Sequence, residues 1–185
     1  MKKFFTFWKK RQAHPVDSTS VSAAVRDVAD TVANATAYEN RGIDCAESGA
    51  YTEAIRYFRK SIDANPDDAA SEYGNMGIVY SRLGNYDEAI RCFQKNIELL
   101  PDDVANTYNN MGIVWAAQGN YDEAIRAFRQ SIALSPDSAA SACHNMGVTC
   151  VAFGHYEKAT QCFQKAARLG HKGSQKWLWK ENIGD

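Results

Sequence analysis

No apolar run of about 18 residues occurs anywhere in this chain of 185 residues, so nothing in it reads as a membrane-spanning helix. The run from Phe4 to Trp8 is five residues, too short for the apolar region of a secretion signal. There is no G-x-x-x-x-G-K-[ST] phosphate loop, no H-E-x-x-H and no C-x-x-C. The five cysteines, Cys45, Cys92, Cys143, Cys150 and Cys162, are odd in number and do not read as a disulfide framework, which fits a reducing cytoplasm.

Acidic residues are absent from Met1 to Arg11 (MKKFFTFWKKR), which holds five of the 21 basic residues. The rest carries 16 basic against 22 acidic side chains, so the body has the wrong sign for a nucleic-acid binder. Residues 1–11 combine lysines with Phe4, Phe5, Phe7 and Trp8, a composition compatible with weak contact at an anionic membrane surface and with a peripheral location.

What is present is a repeat. Gly42, Gly77, Gly112 and Gly147 recur every 35 residues, as do Gly49, Gly84, Gly119 and Gly154. The same interval relates Tyr51, Tyr86, Tyr121 and Tyr156, then Ala54, Ala89, Ala124 and Ala159, then Phe58, Phe93, Phe128 and Phe163. Pro66, Pro101 and Pro136 close three of the units. In the unit after Pro101, Val104, Tyr108, Met111 and Trp115 are spaced four, three and four, one stripe of a helix running from Val104 to Gln118. Gly119 supplies its stop, and Asn120 with Glu123 has capping-box spacing for a second helix, as has Asn85 with Glu88. Ala124, Ile125, Phe128 and Ile132 form the buried side of that second helix. Asp67-Asp68 and Asp102-Asp103 follow prolines and are expected to start helices at the positive end of the dipole.

These columns resemble the tetratricopeptide repeat (TPR) family: a Gly in helix A, a Tyr and Ala opening helix B, a Phe one turn later and a closing Pro. The match covers about residues 35–170. The resemblance implies an all-α fold, a right-handed superhelical solenoid of stacked helix-turn-helix hairpins, with A helices lining a concave face. The family's unit is one residue shorter, and the added residue here lies between repeats, as in PDDAASEYGNMG. The expected organisation is a basic and aromatic flexible N-terminus over 1–17, an N-terminal helix over 18–34, repeats over 35–69, 70–104, 105–139 and 140–170, and a C-terminal capping helix over 171–185. The N-terminal helix rests on the stripe Val21, Val25, Val28, Val32 and Ala35; the final one, opened by Ser174, would lay Trp177 and Leu178 on the fourth repeat.

At about 100° per residue, Asn106, Asn110 and Ile113 lie opposite the stripe of Tyr108, Met111 and Trp115. The same arithmetic yields columns Asn40, Asn75, Asn110, Asn145 and Ile43, Ile78, Ile113, Val148. A solvated face would carry lysine and glutamate; amides beside branched apolar residues point to an interaction surface. An Asn amide can pair with both the C=O and the N–H of a peptide backbone, and similar asparagine ladders occur in TPR proteins that hold peptides. Such residues can equally bridge neighbouring A helices. Asn109 lies in an adjacent column with Glu39, Gly74 and His144, where close approach of a ligand is one reason for the glycine. Arg82 is the groove's one cation, and Thr36, Ser71, Asn106 and Ser141 occupy the positions where some relatives hold a carboxylate with basic residues, so an acidic tail fits poorly.

The functional expectation is therefore a non-enzymatic scaffold or adaptor binding a protein or peptide partner, with no cofactor, no metal and no nucleic acid. A self-associating structural array is one alternative. A metal or redox protein built on Cys143, His144, Cys150, His155 and Cys162 is the other, opposed by the placement of Cys143 and Cys150 on the core stripe.

Overall fold

A computed structural model describes the backbone over residues 18–102 and 104–183, with side chains over 31–102, 104–135 and 139–179. The basic segment 1–17 and its expected membrane contact lie outside the described residues.

Among the described residues the chain is helical throughout: α1 (Ser18–Glu47), α2 (Tyr51–Ala64), a 3-10 turn (Pro66–Asp68), α3 (Ala70–Arg82), α4 (Tyr86–Leu99), α5 (Ala105–Ala117), α6 (Tyr121–Leu134), α7 (Pro136–Ala152), α8 (Tyr156–Arg168) and α9 (Lys172–Ile183). Each helix packs on the next and, along one face, α1 meets α3, α3 meets α5 and α5 meets α7. Contacts confined to neighbours make this an all-α helical repeat solenoid.

Each hairpin is closed the same way. Gly49, Gly84, Gly119 and Gly154 have φ between 76° and 87°, the left-handed conformation that a side chain would strain. In the third unit Gly119 N–H donates to Ala116 O and Asn120 N–H to Trp115 O, the paired bonds of a Schellman motif. The second glycine column serves packing instead. A Cβ on Gly42, Gly77, Gly112 or Gly147 would come within 2.5–2.7 Å of the Phe58, Phe93, Phe128 or Phe163 ring, all of them buried. Missing side chains let helices A and B approach closely enough for phenylalanine to fill the seam.

Several local expectations are corrected. Asn85 and Asn120 stand at the N-caps of α4 and α6 but make no side-chain cap bond. Glu88 and Glu123 turn forward to Arg91 and Arg126 one turn later, so the reciprocal half of the box is unavailable to the caps. Asp67 and Asp68 lie in the 3-10 turn, before α3 begins at Ala70. Pro136 opens α7 from its first turn, where a missing N–H costs nothing. Residues 18–34 do not form a separate helix; they continue without a break into helix A of the first repeat. On that continuous helix Ala35 is buried while Val32 stays 45% exposed.

At the C-terminal end Trp177 packs against Phe163 with ring centroids 4.4 Å apart and the planes tilted by 36°, and Leu178 joins the same cluster. Ser174 does not cap α9, which starts at Lys172. Its fully buried hydroxyl lies 2.9 Å from His144 Nδ1 and 3.2 Å from His171 Nδ1.

Buried polar pairs cross the joints between repeats, and they differ from joint to joint. At the first, Ser61 Oγ lies 2.9 Å from Ala35 O and 2.6 Å from Glu72 Oε1, one proton between two acceptors. At the second, Asn96 donates to Ala70 O at 2.8 Å and accepts from Thr107. At the third, Ser131 Oγ is buried without a partner among the described residues, and Ala142 stands where Thr107 did.

Candidate peptide-binding face

Helices α3, α5 and α7 turn one side of each stripe inward and the other outward. Met76 and Val79, Met111 and Val114, and Cys143 and Cys150 are buried. One or two residues from a buried neighbour, and so turned to another side of the helix, Ile78, Ile113 and Val148 remain 38%, 42% and 49% exposed. Leaving branched apolar residues partly in water on three successive helices forgoes a share of the about 1.5–3 kcal/mol that full burial of such a side chain supplies. Ile43, the first of the column, is instead half-buried against the core of the first hairpin.

Two dimples open along this face. The first, about 100 Å³, is walled by Ile43, Asn75, Ile78 and Arg82 and floored by Phe58. The second, about 160 Å³, is walled by Ile78, Arg82, Asn110 and Ile113 and floored by Phe93. Apart from Arg82, which borders both, their linings correspond at the 35-residue interval. The Asn75 and Asn110 amides make no side-chain hydrogen bond among the described residues and are half-buried at the dimple edges. Phe58 and Phe93, legible in the sequence only as core residues, thus have a second role: their ring edges close the dimples.

The fourth rung differs. Asn145 Nδ2 donates to Asn109 Oδ1 at 3.0 Å, so this pair bridges α5 and α7 within the protein. Asn40 and Asn106 are exposed and line neither dimple. The structure therefore brings Asn75, Asn110, Ile43, Ile78, Ile113 and Arg82 together and leaves Val148 beside an amide already occupied. Gly74 has an internal explanation, since a Cβ there would lie 3.3 Å from Asn96 Nδ2. The ion pairs Arg91–Glu88, Lys95–Glu98 and Arg126–Glu123 all lie on B helices, away from this face.

The residues of the metal and redox alternative occupy other surroundings. Burial pushes the Cys92 thiol up to about 11. Burial, reinforced by Cys150 and Cys143, pushes the Cys162 thiol up to about 12. Both are therefore protonated near neutral pH, and a thiol is a poor nucleophile and metal ligand. Burial followed by the adjacent His171 holds the His144 imidazole below its usual range, the two rings stacking 4.0 Å apart. Among the described residues no three His, Cys, Asp or Glu side chains converge in a way that could hold a metal ion, and no helix is long and apolar enough to cross a membrane.

Family models described as tetratricopeptide repeat match residues 35–68 and, in two overlapping spans, 67–137 and 103–170. No curated protein matches the chain in sequence. Among solved structures, YrrB, described as a TPR protein with an unusual peptide-binding site, is 25% identical, with a TM-score of 0.65 over 88% of this chain and 86% of its own. A MamA fragment (41-end) from Desulfovibrio magneticus RS-1 is 23% identical, with a TM-score of 0.64 over 80% of this chain and 92% of its own. BtubC from P. vanneervenii is 17% identical, with a TM-score of 0.66 over 73% of this chain and 62% of its own. At those identities the last two speak for the fold alone.

Proposed function

The chain belongs to the tetratricopeptide repeat family, and from that premise we propose that it is a peptide-binding scaffold whose ligand lies along the A-helix face across the first three repeats. One observation carries this reading: two dimples in repeat register, each pairing an unengaged asparagine amide with exposed isoleucine over a phenylalanine floor. The amides would pair with the ligand's backbone, and the dimples would take apolar side chains. Affinity would come from main-chain hydrogen bonds and specificity from the side-chain pockets. The likeness to YrrB, whose description names a peptide-binding site, supports the same reading. Arg82 is the single cation beside the dimples, so binding would depend weakly on salt. The five free cysteines fit a reducing, cytoplasmic setting.

Selection from a displayed library of random peptides tests the proposal. The wild type is expected to enrich extended peptides with apolar residues, Asn75→Ala/Asn110→Ala to weaken them tenfold or more, about 0.7 kcal/mol or greater per amide, and Ile113→Asp to abolish enrichment. Equal enrichment by all three proteins would overturn it.

A further inference from the structure

The joint between the third and fourth repeats differs from the one before it at two positions that lie together. At the second joint Trp115 packs on the core beside Met111 and Ala127, with Glu123 at the rim. Thirty-five residues on, Cys150 replaces the tryptophan and Lys158 replaces the glutamate. An indole is withdrawn at the place where an acid becomes a base.

The result is a cavity of about 560 Å³ between α6, α7 and α8, within the roughly 300–1,000 Å³ of small-molecule sites. Its deep part is apolar and sulfur-rich: Ile125, Met146, Cys150 and Cys162, the two cysteines buried. Tyr121 borders it with its hydroxyl 3.4 Å from Cys150 Sγ. Arg126, Arg129 and Lys158 face it against a single acid, Asp122. Arg126 is engaged by Glu123; Arg129 and Lys158 have no ion-pair partner among the described residues, and the Lys158 ammonium lies over the Tyr121 ring, 5.9 Å from its centroid. The first joint is an internal control. A groove of the same volume opens there, but Tyr80 occupies the position of Trp115 and its hydroxyl accepts a bond from Arg59 at 3.1 Å. Among the described residues only the third joint combines a vacated aromatic position with cations that lack an ion-pair partner.

We propose that this cavity binds a small aromatic carboxylate. The ring takes the space that Trp115 fills one repeat earlier, against Met146 and the two sulfurs, contacts that favour an aromatic group. The carboxylate meets Arg129 and Lys158 at the rim. This site lies between the B helices α6 and α8 over the core side of α7, and is independent of the peptide-binding reading of the A-helix face.

Protein-observed NMR titration with indole-3-propionate, and with indole and tryptamine as its neutral and cationic counterparts, tests the proposal. Saturable shifts are expected over α6 to α8, with indole-3-propionate at least about fivefold tighter than tryptamine and the gap closing at high salt. Cys150→Trp, which restores the side chain of the preceding joint, should abolish binding of all three probes. Lys158→Glu, an exposed change that restores the preceding acid, should reduce indole-3-propionate to the level of indole and leave indole unchanged. Absence of saturable shifts, equal affinity for the three probes, or binding that survives Cys150→Trp would overturn the proposal. If Cys150→Trp does not fold, Lys158→Glu decides: undiminished binding of indole-3-propionate refutes the site.

Discussion

Replacing Gly112 with alanine sets two effects of opposite sign against each other. On helix propensity alone the change should stabilise α5 by roughly 0.5–1 kcal/mol. The seam with α6 opposes it. The new Cβ would sit 2.6 Å from Cε1, 2.7 Å from Cδ1 and 2.9 Å from Cζ of Phe128, whereas carbon atoms in contact prefer about 3.5–4.0 Å. The ring is 0% exposed and has nowhere to swing, so either it leaves its rotamer or the helices part. Such overpacking costs about 1–3 kcal/mol, and three overlapping atoms place it at the upper end. The net expectation is a loss of about 1–2 kcal/mol, steric cost exceeding propensity gain. Urea unfolding followed by far-UV circular dichroism measures it, with Phe128→Leu and the double variant completing a cycle. A smaller side chain opposite should relieve the overlap, giving a coupling of about 1 kcal/mol or more. Gly112→Ala that stabilises the protein, or a double variant that is merely additive, would refute the close-approach account of this column.

Asn96→Ala strands the Thr107 hydroxyl and removes the second bond to the Ala70 carbonyl in the second joint, and should cost about 1–3 kcal/mol by thermal unfolding. Ser131→Ala removes a buried hydroxyl that has no partner among the described residues and should be neutral or stabilising by up to about 1 kcal/mol; a larger loss than for Asn96→Ala would contradict the assignment of these joints. Because His144 resists protonation in the folded chain, the unfolded chain binds the extra proton below its ordinary value of 6.5. Stability should therefore be full above that pH and fall on acidification through it, with His144→Asn flattening the slope; a profile that improves toward acid would show the sign to be wrong. Native thiol labelling should be fastest at half-buried Cys45 and slow at Cys92, Cys143, Cys150 and Cys162, as mass spectrometry of the modified peptides would report.

The periodic part of this architecture was legible because its causes are local. A 35-residue column of Gly, Tyr, Ala and Phe fixes the hairpin, and 100° arithmetic separates Met111 from Ile113. What the sequence concealed depends on geometry between elements. The Asn145–Asn109 bond requires the offset of α5 against α7, which no single-helix projection contains. The reciprocal half of the capping box is missing at Asn120 because its N–H is spent on Trp115 O in the turn that ends α5, while Glu123 pairs with Arg126. The continuity of α1 was hidden by the start of the repeat pattern at Ala35, a change in sequence without a change in backbone. Ser174 looked like a helix starter, and only the packing of α9 on α7 and α8 turns it toward two histidines.

The unlike polar pairs at successive joints constrain how such a gene can shrink. Excising residues 70–104 would confront Ser61 with Thr107, two hydroxyls able to satisfy one another. Excising residues 105–139 would confront Asn96 with Ala142 and leave the Asn96 Oδ1 in the interior without the donor it has now. Arrays related to this one by loss of a unit should therefore have lost the second repeat more readily than the third, a bias in ancestry written by two hydrogen bonds.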